Sequence, residues 1–510
     1  MSSPPDQHAD LDRSLVSGIA WTAAAKYGAQ IIQWVLTLIV ARILLPEDYG
    51  LFGIAWMAVG LILLINEGGL GLTVVSLREL TKEQIAQLNS VALMFGIGAS
   101  LLACALAWPL EWFFNMPGLM WVLIGLSPLF PIIAMRTVPQ AVLQRDLKFR
   151  FIALAEAGMA ITNNVLTLVM ALLGFGYWSF VIGHLSGHTL RTALVLGRHW
   201  SPYAVARLED LKSTLAFMLH LVGNRIAWFF QSKSDIGVTG FKLGQTTTGH
   251  FAMAHTLASM PLDKIASLIS RVTPAFFSRV QDDAAGLRRY FLRLTEVLAV
   301  TVIPVSAGIA LVADDFVPVV LGPNWLPAVN PLRLLALSAG WRAVAMLFQH
   351  VLVIKKDTLF AMNMAWLITV VLFGAFIVGA GLGEYHDLGK LAVIDGITGI
   401  ALAWLLVHPM LSLPLYRRAL SHMAMPVRQY FGALFPAVSS AAIMAVAVLV
   451  TKVLDPSLPA AVRLAMETLV GVLAYAASML VFHRQRLAAF METLKMARSK
   501  PATTEEAAED

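Results

Sequence analysis

The sequence predicts an all-α polytopic membrane protein of fourteen transmembrane helices, arranged as two repeated six-helix lobes plus two C-terminal helices. Three observations carry this expectation. Of the 510 residues, 58% are hydrophobic and only 13% charged, against roughly 25% charged in soluble globular domains, and the mean hydropathy is +0.73. Apolar segments near the roughly 20 residues that a helix needs to cross the hydrocarbon core recur between short polar breaks. Finally, stretches of the second half repeat stretches of the first.

The expected spans are 15–43, 49–75, 87–109, 119–142, 151–173, 176–197, 214–239, 249–270, 293–321, 329–353, 359–382, 390–415, 429–452 and 461–482. They group into an N-lobe over 14–198 and a C-lobe over 214–418, joined by a cytoplasmic linker, 199–213. Helices thirteen and fourteen occupy 425–483, with polar cytoplasmic tails at 1–13 and 484–510.

Lys and Arg accumulate on the cytoplasmic side of membrane proteins, which orients the chain. With the N-terminus inside, inner segments hold groups such as Arg145, Lys148 and Arg150, or Arg271, Arg279, Arg288, Arg289 and Arg293. The outer segments hold only Arg42, Lys242, Arg333, Lys390, Lys452 and Arg463. Both termini are therefore expected in the cytoplasm. The net charge of +6 follows from inner loops facing an anionic leaflet and implies no nucleic-acid partner. The opening "MSSPPDQHAD" lacks the basic start and short apolar core of a cleavable signal. The single cysteine, Cys104, reads as a small buried hydrophobe in the third span and excludes a disulfide framework within one chain.

The repeats define the halves. "LSPLFPIIAMRTVPQAVLQRDLKF" from Leu126 aligns without a gap on "LSAGWRAVAMLFQHVLVIKKDTLF" from Leu337, pairing Ser127 with Ser338 and Asp146 with Asp357. "YGLFGIA" from Tyr49 aligns on "TGHFAMA" from Thr248, pairing Gly50 with Gly249 and Phe52 with Phe251. The first offset is 211 and the second 199, so the second copy carries extra residues between them. Repeats of this kind in transporters place the binding site between the halves, near the bilayer midplane.

Two corresponding helices carry polar stripes. In the seventh, His220, Asn224, Trp228, Gln231 and Asp235 recur along one narrow face, with Arg225 and Ser232 beside it and Lys233 pointing roughly opposite. In the first, Thr22, Lys26, Gln30, Gln33 and Thr37 follow the same spacing. A charge at a helix centre costs about 2.5–3.5 kcal/mol even on the mild insertion scale, so such stripes face protein or a water-filled cavity. His255, Ser259, Asp263 and Ser267, with Lys264, extend this pattern to the eighth helix; Asn66 and Glu67 lie near the inner end of the second. Lys233, off the stripe and in the outer part of its helix, reads more as a snorkelling side chain than as a ligand, and Asp263 with Lys264 reads equally as a structural charge network. "GHLSG", Gly183 to Gly187, fits close helix packing.

"GIAWTAAAKYGAQIIQWVLTLIVARILLPEDYGLFGIA", "NEGGLGLTVVSLRELTKEQ" and "AVLQRDLKFR", then "TTTGHFAMAHTLASMPLDKIASLISRVTPAFFSRVQ" and "VVLGPNWLPAV", resemble the polysaccharide-transport branch of the multidrug/oligosaccharidyl-lipid/polysaccharide exporter superfamily. The resemblance covers nearly the whole chain and weakens after the twelfth helix. It implies a bacterial inner-membrane flippase whose two lobes alternate between inward-open and outward-open states. The implied cargo is an undecaprenyl-diphosphate-linked oligosaccharide for capsule, exopolysaccharide or O-antigen assembly. A cationic cavity would receive it: Lys26 and Arg225, with Lys233 and Lys264 as further candidates, meet the diphosphate. Gln30, Gln33, Asn224 and Gln231 meet sugar hydroxyls, and Trp21, Tyr27, Trp34 and Trp228 offer faces to sugar rings. Asp235 either pairs with a neighbouring cation or, like Asp263 and Glu67, binds the proton or sodium ion that drives the cycle.

No organic cofactor, metal or enzymatic activity is expected. The chain has no G-x-x-x-x-G-K-[ST] phosphate loop, which sets aside an ATPase. A membrane polymerase or ligase acting on lipid-linked sugars remains an alternative, although every outer loop is short. A drug or small-cation antiporter of the same superfamily is the other, and it would prefer carboxylates to Lys26 and Arg225. Expected partners are the lipid-linked oligosaccharide, membrane lipids, and polymerase or export machinery meeting helices thirteen and fourteen.

Overall fold

The computed structural model describes residues 33–67, 74, 81–205, 208–382, 395–454 and 458–484. Among these residues the secondary structure is helical, without a strand, and ten helical stretches are long and apolar enough to cross a membrane. The chain is a multi-pass membrane protein.

In chain order the helices are α1 (Gln33–Ile43), α2 (Pro46–Glu67), α3 (Lys82–Phe114), α4 (Leu119–Leu126), α5 (Leu129–Arg145), α6 (Phe149–Leu172), α7 (Trp178–Arg198) and α8 (Leu208–Arg279). Then follow α9 (Ala284–Phe316), α10 (Val329–Ile354), α11 (Thr358–Gly381), α12 (Gly396–Leu402), α13 (His408–His422), α14 (Val427–Leu454) and α15 (Ala460–Phe482).

Local chemistry explains the boundaries. Thr81 and Gln84 cap α3 reciprocally: the Thr81 hydroxyl accepts from the Gln84 N–H at 3.2 Å, and Gln84 Oε1 accepts from the Thr81 N–H at 3.0 Å. The span expected at 119–142 is broken into α4 and α5, because Pro128 and Pro131 each withdraw an N–H donor. Pro304, by contrast, sits inside an unbroken α9. In α8 the helical path is interrupted at Gly244, with φ 80° and ψ −178°, a region essentially reserved for glycine. That interruption separates the segments expected at 214–239 and 249–270.

The described residues form two compact units, one within Met1–Ala252, Val320–Trp325 and Phe376–Ile397, the other within Met253–Val319, Leu326–Ala375 and Thr398–Asp510. In the first, α6 packs on α7 through the expected small residues. A Cβ on Gly183 would lie 2.8 Å from Asn163 O, and one on Gly187 the same distance from Met159 O. In the second, α9, α10, α14 and α15 pack together around Phe291, Phe348 and Tyr430, with Phe348 centred 5.0 Å from each of the other two rings.

The first unit also holds the repeat as a physical contact. A Cβ on Gly50 would lie 1.9 Å from Gln245 O, and one on its repeat partner Gly249 would lie 1.7 Å from Pro46 O. Gly53 meets Ala252 in the same way, at 3.7 Å between Cβ positions. Pro46 with Gln245, Gly50 with Gly249, and Gly53 with Ala252 all stand 199 positions apart, so this offset relates two backbones in mutual contact. The 211 offset is less faithful at its end. The left-handed residues that close α5 and α10 are Leu147 (φ 57°) and Lys356 (φ 59°), 209 positions apart. The structural counterpart of Asp357 is thus Lys148 and not Asp146.

Cys104 is exposed, contrary to the buried reading. It lies on α3 with Leu101 and Trp108, each 66% exposed, on a face whose apolar chemistry suits lipid; a thiol is apolar enough to share it.

Candidate functional site

Lys26 and Gln30 lie outside the described residues. Gln33 opens α1, is partly exposed, and its carbonyl accepts from the Thr37 hydroxyl at 2.9 Å. Next to it, the indole N–H of Trp34 is buried without a hydrogen-bond partner. Asn224, Arg225 and Trp228 belong to α8, but their side chains lie outside the described residues, as does that of Glu67 at the end of α2. Gln231 and Lys233 are partly exposed. Asp235 is 0% exposed. Its Oδ1 accepts from the Ile236 N–H at 2.8 Å, and its carbonyl accepts from the Thr239 hydroxyl at 2.7 Å. Asp263 and Lys264 are both exposed, further along α8.

Beside this part of α8, α2 approaches closely. A Cβ on Gly60 would meet the Phe229 ring at 3.2 Å, and one on Gly240 would meet Ile54 Cδ1 at 2.5 Å. At the start of α2, Gln245 Nε2 donates to Glu47 O at 3.0 Å. The "GPNW" segment drives Trp325 into the same junction. Its indole N–H donates to Ala41 O at 2.8 Å, and its ring stands edge-on to Tyr49 at 5.2 Å. His250 Nε2 and Asn324 O are 2.9 Å apart. Tyr49, Trp325, Gly50 and Gly249 thus make one closed junction within the first unit.

Sequence reasoning passed over two cations set within apolar spans. Arg136, midway along α5, is only 5% exposed. It donates to His188 Nδ1 at 3.1 Å and to the Thr192 hydroxyl at 3.5 Å, both on α7. A guanidinium has no acceptor, so Nδ1 must accept, and His188 is held as the neutral imidazole with its proton on Nε2. In the second unit, Arg342 on α10 lies over the Trp404 ring, 4.2 Å from the centroid. The signal that identifies both is a lone arginine inside an apolar segment.

At the polar end of α10, Asp357 accepts from Arg418 Nε at 2.7 Å and stands 2.9 Å from His422 Nε2. The Arg418 hydrogen bond, then that of His422, holds the Asp357 carboxyl below the usual carboxylate range. Among the described residues there is no group of three His, Cys, Asp or Glu side chains able to hold a metal.

Comparison with known proteins places this architecture. A family model described as "Polysaccharide biosynthesis protein" matches residues 39–330, more than half of the chain, and the chain belongs to that family. Among its relatives, the succinoglycan biosynthesis transport protein ExoT of Rhizobium meliloti is 27% identical over 64% of this chain and 67% of its own. The lipopolysaccharide biosynthesis protein WzxC of Escherichia coli is 24% identical over 78% of this chain and 79% of its own. The fold is shared with a structure of the lipid II flippase MurJ in an inward closed conformation, at TM-score 0.71 and 16% identity over 92% of this chain and 100% of the other. It is shared more loosely with an inward-facing multidrug-resistance transporter of the MATE family, at TM-score 0.56 and 17% identity over 76% of this chain and 95% of the other.

Proposed function

We propose that this protein is a flippase that moves an undecaprenyl-diphosphate-linked oligosaccharide across the bacterial inner membrane, for exopolysaccharide, capsule or O-antigen assembly. One observation carries the reading: a chain of a polysaccharide-biosynthesis family has, over 92% of its length, the fold of a lipid II flippase. Two six-helix lobes, 14–198 and 214–418, alternate access to a cavity lined by the first and seventh helices. The two C-terminal helices, 425–483, complete fourteen spans and meet polymerase or export machinery, and both termini lie in the cytoplasm. The process is transport and not catalysis.

In this scheme Lys26 and Arg225 accompany the diphosphate, with Lys233 and Lys264 nearer the ends of the path. Gln30, Gln33, Asn224, Gln231 and Trp228 meet the sugars. A proton or sodium gradient drives the cycle through Asp235, Asp263 or Glu67. Physical chemistry supports cations in these roles: a diphosphate crossing a low-dielectric region needs compensating charge, which Arg supplies through paired hydrogen bonds and Lys as a point charge.

The test is reconstitution in liposomes with a fluorescent undecaprenyl-diphosphate sugar. Wild type should move it between leaflets, while well-folded Lys26→Ala and Arg225→Ala should lose transport. A second reading, small-molecule antiport, rests on the MATE likeness. Drug efflux by wild type without movement of the lipid-linked sugar would replace the flippase with it.

A further inference from the structure

Pro409 opens the chemistry of the second unit. Its missing N–H and its ring conflict with a regular α-helical turn before it, and the chain answers with a π-helical turn over Ala403–Val407 between α12 and α13. Such turns place one side chain where a regular helix would not. Here that side chain is Trp404, which is buried and fixed from α10 by the Ser338 hydroxyl donating to its carbonyl at 3.1 Å.

Above the indole lies the Arg342 guanidinium, 4.2 Å from the ring centroid. The His408 ring is centred 5.4 Å from the indole, and His408 Nδ1 is buried without a hydrogen-bond partner. Arg342 stands midway along α10, on a helix whose other faces are almost wholly buried. Its own stripe continues through Met346 to Gln349, which is exposed. Arg342 itself is half-buried, and an ionisable side chain inside an apolar span marks a functional position by default.

We propose that Arg342, Trp404 and His408 form a binding site for a phosphoryl group attached to a sugar. Stacking on the indole holds the guanidinium flat and aims its edge at an anionic oxygen. His408 Nδ1 adds a polar atom beside the indole. Its identification with the cargo rests on the flippase reading; the anion chemistry does not.

The experiment uses the full chain purified in detergent, with a fluorescent polyprenyl-diphosphate sugar as probe, and phosphatidylglycerol and inorganic diphosphate as competitors. Wild type, Arg342→Ala and Arg342→Lys are compared, with thermal unfolding as a check on folding. A lost charge-assisted contact should weaken sugar-lipid affinity about ten- to a hundredfold in Arg342→Ala. Arg342→Lys keeps the charge but loses the planar fork, so it should fall between, and it serves as the readout if the alanine variant does not fold. Wild-type affinity in both folded variants overturns the site. Loss confined to phosphatidylglycerol competition makes it a lipid-headgroup site and overturns the assignment to cargo. Wild type that does not bind the sugar lipid in detergent overturns the assignment to cargo; inorganic diphosphate added alone should then raise the unfolding temperature of wild type but not of Arg342→Ala, and no such rise overturns the anion site as well.

Discussion

A guanidinium keeps its charge in any protein environment, so Arg136 is a cation inside the first unit and depends on the acceptors around it. His188→Ala removes one of them. Taking an acceptor from a buried donor costs about 1–3 kcal/mol, so the variant should unfold at a lower temperature in detergent, whereas His188→Asn, which offers another acceptor, should recover part of the loss. Asp357 responds to pH. Its folded carboxyl titrates below the usual range because Arg418 and then His422 bond it. Its contribution is therefore present above the unfolded value of about 3.9 and is lost as pH falls through the folded one. Between neutral pH and the acid limit, Asp357→Asn should flatten the acid side of the stability profile; an unchanged profile would refute the pairing. Arg418 is 53% exposed at its side chain, so added salt should reduce the effect.

At the scale of elements, charges at one end of the second unit fasten α15. Arg463 on α15 donates through Nε to Asp315 on α9, at 3.0 Å to each oxygen. Lys452 on α14 donates to Leu311 O at 2.6 Å and to Asp314 at 3.3 Å, and Arg333 on α10 also pairs with Asp314. Glu467, 0% exposed, stands 3.7 Å from Lys452 and 4.0 Å from Arg463. Removing one partner of a buried pair strands the other and costs about 3–5 kcal/mol. Arg463→Ala should accordingly destabilise the protein by that order, read as early loss of α15 protection in hydrogen exchange. Exchange no faster than wild type would show that apolar packing alone holds the helix.

For the whole molecule the decisive feature is the junction where the two copies of the repeat touch. If transport requires this junction to open, a bond across it should stop the cycle. Gly53 and Ala252 place their Cβ positions 3.7 Å apart, inside the range of a disulfide. In a Cys104→Ser background, the pair Gly53→Cys and Ala252→Cys should crosslink on oxidation. Transport should cease and return with reductant. A crosslinked protein that still moves the lipid-linked sugar would show that the junction is static.

The sequence by itself determined the class. Hydropathy and span length leave a helical membrane protein as the solution, since every backbone polar group must be satisfied without water. The 199 offset and the close packing of Gly183 and Gly187 were legible, because each follows from local spacing. Tertiary structure alone decided what an intramembrane charge touches. Arg136 and Arg342 are the same residue type in similarly apolar helices, yet one is buried against His188 and the other, half-buried, lies over Trp404. Their partners sit on α7 and in the turn before α13, about 50 to 60 residues away, and helical periodicity carries no information across that distance. The same limit hid the burial of Asp235 and the exposure of Cys104, because a helical wheel gives the direction of a side chain but not what the neighbouring helix places there.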